Sequence, residues 1–219
     1  AVVDHFFMKD FFMMNADEAK PEYNGEQLII RKLVIGFLKT LLRIDKQMAP
    51  FEMMALEKSV SEIIETQTPS GKIKITVGGF IDRIDKKDDT VRVLDYKTGG
   101  IIQEPVSVDE LFESDKKRAS NIFQTFLYSA ILQRENPDLK ITPQIMYINA
   151  AAKKDYSAVI RMGPPRQKTI VGEILPYMDD LMEKLKKLVS TLFDESKPFC
   201  QTDVTERCEW CDFKRICRR

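Results

Sequence analysis

Two aspartates and a lysine near the middle of the chain have residue types and a spacing that suit phosphodiester chemistry. Asp82 lies in the run GGFIDRID, and Asp95 and Lys97 lie in the run LDYKTGG. Side chains alternate in direction along a strand, so Asp95 and Lys97 should project from one face while Tyr96 points away. Two carboxylates with a lysine beside them suit a divalent cation and a phosphate.

The elements around these residues form a predicted hairpin followed by a helix. Apolar residues predict one strand up to Ile84 and a second from Val91 to Leu94, with a charged turn over residues 86–89. A helix over residues 121–133 places Gln124 and Tyr128, four positions apart, on one face. We also expect a helix over 25–47, strands over 51–65, 72–77, 141–148 and 156–162, and a helix over 170–192. The continuous apolar character of 141–148 favours a central strand. This order of elements predicts an α/β fold around a mixed sheet.

Three motifs occur in the chain in a fixed order. They are G-x-x-D-R at 79–83, D-Y-K-T-G at 95–99 and Q-x-x-x-Y at 124–128. Together they resemble the PD-(D/E)XK nuclease superfamily, and within it the RecB-type and AddB-type nuclease domains. The resemblance implies a restriction-endonuclease-like core, in which helices flank a central mixed β-sheet. It also implies a DNA exonuclease that processes double-strand breaks with a helicase partner, as the C-terminal part of a larger repair protein.

The resemblance assigns roles to individual residues. Asp82 and Asp95 would bind Mg²⁺ or Mn²⁺, with the backbone carbonyl of Tyr96 as a third ligand. Lys97 would orient the attacking water and stabilise the charge that develops on the phosphate. Gln124 and Tyr128 would position the substrate or the lysine; alternatively, Tyr128 packs and Gln124 caps a strand. Glu57 would support the site or bind a second metal, although surface glutamates are common.

One departure from the family leaves a second interpretation open. RecB-type members usually carry a metal-binding histidine on an early helix, and the single histidine here is His5, which we interpret as a packing or surface residue. The chain could therefore be a catalytically inactive DNA-binding or scaffolding module of a helicase–nuclease complex. The complete set of Asp82, Asp95 and Lys97 favours the enzyme.

Four cysteines lie in the last twenty residues, at Cys200, Cys208, Cys211 and Cys217. Such clustering argues against a secreted disulfide framework and favours a reducing cytoplasm. The spacing resembles the end of iron–sulfur nuclease modules, which use one more cysteine far upstream that this chain lacks. A [4Fe–4S] cluster, a zinc ion and a set of free thiols all remain open.

Composition limits the partners. The formal net charge is zero, so DNA must be bound by local patches, for which Lys116, Lys117 and Arg118 are candidates. The apolar runs are too short for a membrane span. We expect a helical segment over 1–50, a nuclease core over 51–197 and a cysteine-rich tail over 198–219. The first residue is alanine, which indicates a piece of a longer protein with further N-terminal domains or a partner subunit.

Overall fold

The computed structural model describes residues 2–14, 22–113, 118–153, 155–209 and 211–218. Its helices are α1 (Val2–Phe6), α2 (Gly25–Met48), α3 (Ser120–Glu135) and α4 (Leu175–Leu192). Its strands are β1 (Glu52–Thr68), β2 (Gly71–Lys87), β3 (Thr90–Lys97), β4 (Lys140–Tyr147), β5 (Arg161–Met162) and β6 (Thr169–Ile170). A π-helical turn follows α1 over Phe7–Phe11, and short 3₁₀ turns occupy Asp109–Leu111, Ala150–Ala152 and Thr205–Cys208. None of the described helices combines the length and apolar character that a membrane span needs.

Local sequence sets the ends of α2, which confirms the predicted helix. Asn24 caps its first turn, because the Asn24 side chain accepts a hydrogen bond from the Gln27 N–H and the Gln27 side chain accepts one from the Asn24 N–H. Pro50 follows the last turn, and the preceding Ala49 has the extended backbone that a residue before proline prefers. The helix is therefore fixed at both ends by short-range interactions.

The central sheet has the strand order β1-β2-β3-β4. The first three strands are antiparallel neighbours and β4 runs parallel to β3. The predicted strand over 72–77 and the predicted strand up to Ile84 form one strand, because β2 continues through Gly78 and Gly79. The mixed sheet with flanking helices confirms the predicted restriction-endonuclease-like fold class.

Two sequence predictions at the far edge of the sheet are wrong, and one predicted helix is shorter than expected. β4 lies at the edge of the four strands rather than at the centre, and its apolar run arises because both of its faces are buried. The predicted strand over 156–162 reduces to one bridge at Val159 and the short strand β5. The predicted helix over 170–192 begins only at Leu175, since Pro176 is tolerated only within a first turn.

Helices cover both faces of the sheet. Val93 packs in the large core formed with residues of α3 and α4, and the adjacent Leu94 packs in a smaller core with Ile44 of α2. Because neighbouring residues of a strand point to opposite faces, α3 and α4 lie on one side and α2 on the other. We call these the α3 face and the α2 face.

The regular alternation of side chains along β2 breaks at Asp82. Gly79 lies against Tyr128 of α3, whereas Arg83 contacts Asp45 of α2, although strict alternation would place residues 79 and 83 on the same face. On the neighbouring strand, Glu57 has a φ of 50°, and it lies between the paired positions Leu56–Arg83 and Lys58–Ile81. Irregularities of this kind re-aim side chains next to functional sites. Asp82 therefore lies where the alternation of side chains along β2 breaks, and we call this position the corner at Asp82.

Candidate active site

The end of β3 brings Asp95 and Lys97 together on the α3 face. The Lys97 ammonium donates a hydrogen bond of 2.9 Å to Asp95 Oδ1 and lies 2.7 Å from Oδ2. It also donates a hydrogen bond of 3.1 Å to the Gln124 side-chain oxygen on α3. The Lys97 side chain is 22% exposed, so its ammonium is fixed between two acceptors while it stays reachable from solvent.

Helix α3 continues this chain of contacts. The Gln124 side-chain nitrogen lies 3.4 Å from the Tyr128 hydroxyl, to which it donates a long hydrogen bond. The Tyr128 hydroxyl lies so close to Gly79 that a Cβ atom there would be 2.0 Å away. The glycine of the first motif thus makes room for the tyrosine of the third. All three motifs meet at one place, although their residues come from two strands and a helix.

The Asp82 carboxylate closes the opening between β2 and β3. The paired positions of these strands end at Arg83–Leu94, so the backbone N–H of Tyr96 lies beyond the backbone pairing with β2. Asp82 Oδ2 accepts a hydrogen bond of 2.6 Å from that N–H. The aspartate therefore replaces a missing bond of the ladder and is held beside the end of β3.

Electrostatics place the two aspartates in one site. Burial raises the pKa of Asp95, the Lys97 ammonium opposes that shift, and the negative charge of Asp82 raises the pKa further. Asp95 Oδ2 is buried and makes no hydrogen bond, because its contact with the ammonium is close but poorly directed. A buried carboxylate oxygen with a free lone pair, next to a second carboxylate, suits a hard cation such as Mg²⁺, which needs only one or two carboxylates and keeps several waters.

Other predicted residues are not gathered at this site. The described residues contain no group of three or more histidine, cysteine, aspartate or glutamate side chains placed to hold a metal ion. Glu57 is exposed, although it and Asp82 fall in the same gap of the β1–β2 register. His5 lies in α1, where its ring packs edge-on against Phe6.

Two further groups of predicted residues are the cysteine-rich tail and the basic patch. Cys200 is exposed and Cys208, Cys211 and Cys217 are partly buried; all four are free thiols, and they do not form a metal-binding group in the described residues. Arg118 is exposed just before α3. Lys116 and Lys117 lie outside the described residues.

Sequence reasoning missed a set of charges on the α2 face, directly behind the site. Arg83 donates hydrogen bonds of 2.7 Å to Asp85 and 2.8 Å to Asp45, and Arg92 donates one of 2.5 Å to Asp85. Both guanidinium groups also lie over the ring of Phe51, at 4.6 Å for Arg83 and 5.5 Å for Arg92. Two cations balance two anions here, so we call Asp45, Arg83, Asp85 and Arg92 the charge network. The pairing of positions 85 and 92 in register was the signal available in the sequence.

The comparisons with known proteins agree with this geometry. A search of curated proteins finds no significant match to the chain. The family model of the PD-(D/E)XK nuclease superfamily matches residues 4–218, which is nearly the whole chain and includes every residue of the site described above. The chain is therefore a member of the PD-(D/E)XK nuclease superfamily.

Proposed function

We propose that this protein is a metal-dependent deoxyribonuclease that hydrolyses phosphodiester bonds at the end of β3. The observation that carries the proposal is the position of the Lys97 ammonium. It bridges the buried carboxylate of Asp95 and the amide of Gln124, beside the Asp82 carboxylate. Membership of the superfamily supports nuclease activity.

Each side chain has a distinct part in this proposal. Asp82 and Asp95 would hold Mg²⁺ or Mn²⁺, with the Tyr96 carbonyl as a further oxygen ligand. Such an ion supplies a nucleophilic water at neutral pH and neutralises charge on the phosphate. Lys97 orients that water and donates to a phosphate oxygen. Gln124 fixes the direction of the ammonium through its 3.1 Å bond, and Tyr128 lies beside Gln124 on the same face of α3.

The resemblance to RecB-type and AddB-type domains supports the finer parts of the proposal. These are DNA as substrate, exonuclease action, and the processing of double-strand ends with a helicase partner. A reducing compartment such as the cytoplasm agrees with the four free thiols.

One observation favours a second candidate, an inactive DNA-binding module. The described residues contain no third acidic or histidine side chain that completes a metal-binding group with Asp82 and Asp95. Such a module would bind DNA without cleaving it, with or without Mg²⁺.

A nuclease assay on end-labelled single-stranded and double-stranded DNA separates the two candidates. We expect cleavage with Mg²⁺ or Mn²⁺ and none with EDTA. Lys97→Gln should lower kcat by about 10²- to 10³-fold, since it removes a charge that stabilises the transition state. The matched control is Lys184→Gln, because Lys184 also pairs with carboxylates but does so at the surface of α4, with Asp109 and Asp180.

The outcomes are distinct. Full activity of Lys97→Gln would refute the assignment of the site. DNA binding without cleavage by the unaltered protein, measured by fluorescence anisotropy, would favour the inactive module.

A further inference from the structure

Tyr96 is held on two sides by consecutive residues of β2. On the backbone side, its N–H donates a hydrogen bond of 2.6 Å to Asp82 Oδ2. On the side-chain side, its hydroxyl accepts a hydrogen bond of 3.0 Å from Arg83 Nη1 on the α2 face. Asp82 and Arg83 follow one another in the sequence and thus bind opposite ends of one tyrosine, its backbone N–H and its hydroxyl.

The partner of the Tyr96 hydroxyl is rigid. The Arg83 side chain is only 2% exposed, and two carboxylates fix its guanidinium, Asp85 at 2.7 Å and Asp45 at 2.8 Å. An arginine stays charged in proteins, so its guanidinium remains a donor to both carboxylates and to the Tyr96 hydroxyl. The rigid guanidinium plane therefore holds Nη1, which donates to both Asp45 and the Tyr96 hydroxyl, in one position.

The Asp82 carboxylate, in contrast, is bound by the backbone of Tyr96. Within the described part of the chain, the Tyr96 N–H is the group that hydrogen-bonds the Asp82 carboxylate. The peptide that carries this N–H follows the last paired position of β2 and β3, so the sheet pairs it with Met146 of β4 but does not hold it against β2. The hydroxyl bond to Arg83 is therefore what ties residue 96 to β2 from its side-chain end.

We propose that Tyr96 is a positioning residue, whose hydroxyl bond to Arg83 sets the direction in which Asp82 presents its carboxylate to a divalent cation. This inference rests on the proposed function, since it concerns the same metal-binding aspartates. It extends the site through the sheet: Asp45 of α2 fixes Arg83, Arg83 fixes Tyr96, and Tyr96 fixes Asp82. None of the first three residues needs to touch the metal or the DNA through its side chain.

The test replaces Tyr96 by phenylalanine, which removes only the hydroxyl. We expect the Tyr96→Phe protein to fold and to bind Mn²⁺ about 10-fold more weakly in isothermal titration calorimetry, the lower end of what loss of an outer-sphere partner causes. In the nuclease assay kcat should fall while KM for DNA stays unchanged, because no group that contacts DNA has been altered. Asp45→Asn weakens the ion pair that fixes Arg83, so it should also weaken Mn²⁺ binding.

The matched control is Tyr156→Phe. Tyr156 is also half-buried against the smaller core, and its hydroxyl bridges the Tyr147 N–H at 2.7 Å and the Ile145 carbonyl at 3.1 Å. Its loss should lower the melting temperature but leave the Kd for Mn²⁺ unchanged. Because the hydroxyl of Tyr156 holds β4 and has no contact with Asp82, a general loosening of the sheet would affect both variants equally.

Three results would overturn the inference. If Tyr96→Phe binds Mn²⁺ as tightly as the unaltered protein, the hydroxyl bond does not orient Asp82. If Tyr156→Phe loses Mn²⁺ affinity to the same extent, the effect is structural rather than positional. If the unaltered protein binds no Mn²⁺ at all, the proposed metal site itself fails, and this is seen before any variant is measured.

Discussion

The contact between Gly79 and Tyr128 gives the sharpest quantitative prediction. A Cβ atom at residue 79 would lie 2.0 Å from the Tyr128 hydroxyl oxygen and 2.5 Å from its Cζ. Unstrained contacts between heavy atoms are about 3.5 Å, so the ring would have to withdraw by roughly 1.5 Å. Tyr128 packs against the large core, and overpacking a site of this kind costs about 1–3 kcal/mol. Gly79→Ala should therefore lower the free energy of unfolding by that amount.

The second half of the prediction is a reversal of sign. In a Tyr128→Ala background the obstructing ring is gone, and alanine is better than glycine inside a strand by about 0.5–1 kcal/mol. Gly79→Ala should then be stabilising, which gives a coupling energy of about 1.5–4 kcal/mol between the two positions. A Tyr128→Phe background should relieve only part of the cost, because it removes the nearest atom but keeps Cζ.

The assay is urea denaturation followed by far-UV circular dichroism, with equal m-values required across the four proteins of the cycle. Gly36→Ala is the matched control, since nothing lies within 4 Å of a Cβ at that position of α2. It should stabilise the protein by about 1 kcal/mol through helix propensity alone. If Gly79→Ala costs the same with and without the Tyr128 ring, close approach is not the reason for glycine at this position.

Two further predictions concern buried polar groups. Asp85→Asn should lower the free energy of unfolding by about 3–5 kcal/mol, because it removes the buried negative charge that pairs with Arg83 and Arg92. Glu173→Gln, in the exposed pair with Lys140, should lower it by less than about 1 kcal/mol. Equal costs would contradict the burial argument. Burial also raises the pKa values of Tyr96 and Tyr156, so the folded state retains these protons. Their contribution to stability should be complete below the unfolded pKa of about 10 and lost as pH rises through the folded values. Tyrosinate absorbance should then show a late ionisation of Tyr96 and Tyr156 that coincides with alkaline unfolding; a titration without this late component would contradict the prediction.

Short-range spacing made much of the site predictable. Asp95 and Lys97 are two apart on a strand, and Gln124 and Tyr128 are four apart on a helix, so each pair had to share a face whatever the rest of the chain did. The hydrogen bond between Lys97 and Gln124 then joins the two pairs. The roles in catalysis that the resemblance assigns to these residues stay predictions.

The corner at Asp82 could not be predicted, because its signal is a backbone angle rather than a residue type. Glu57 adopts a positive φ where neither glycine nor asparagine marks the position. Without that irregularity, strict alternation places Gly79 and Arg83 on the same face. Strict alternation therefore gives no sign that Arg83 and Asp85 are both buried on the α2 face.

Tertiary context decided the remaining differences. An apolar run such as 141–148 shows that both faces of a strand are covered, but it does not show whether a neighbour lies on each edge. The charge network likewise required knowledge of which helix packs behind β3. Asp45 lies far from Arg83 in the sequence, and no local pattern connects them.

The bond from Asp45 to Arg83 also has an evolutionary and practical meaning. The sequence predicts a boundary at residue 50, yet the segment before it supplies Asp45, one of the two anions of the charge network. A chimera that joined residues 51–219 to the leading helix of another nuclease would keep two guanidinium groups with only one of their two carboxylates, Asp85, unless the donor carried an acid at the corresponding turn. Exchange of this helix among relatives should therefore preserve a carboxylate there more strictly than the leucines around it.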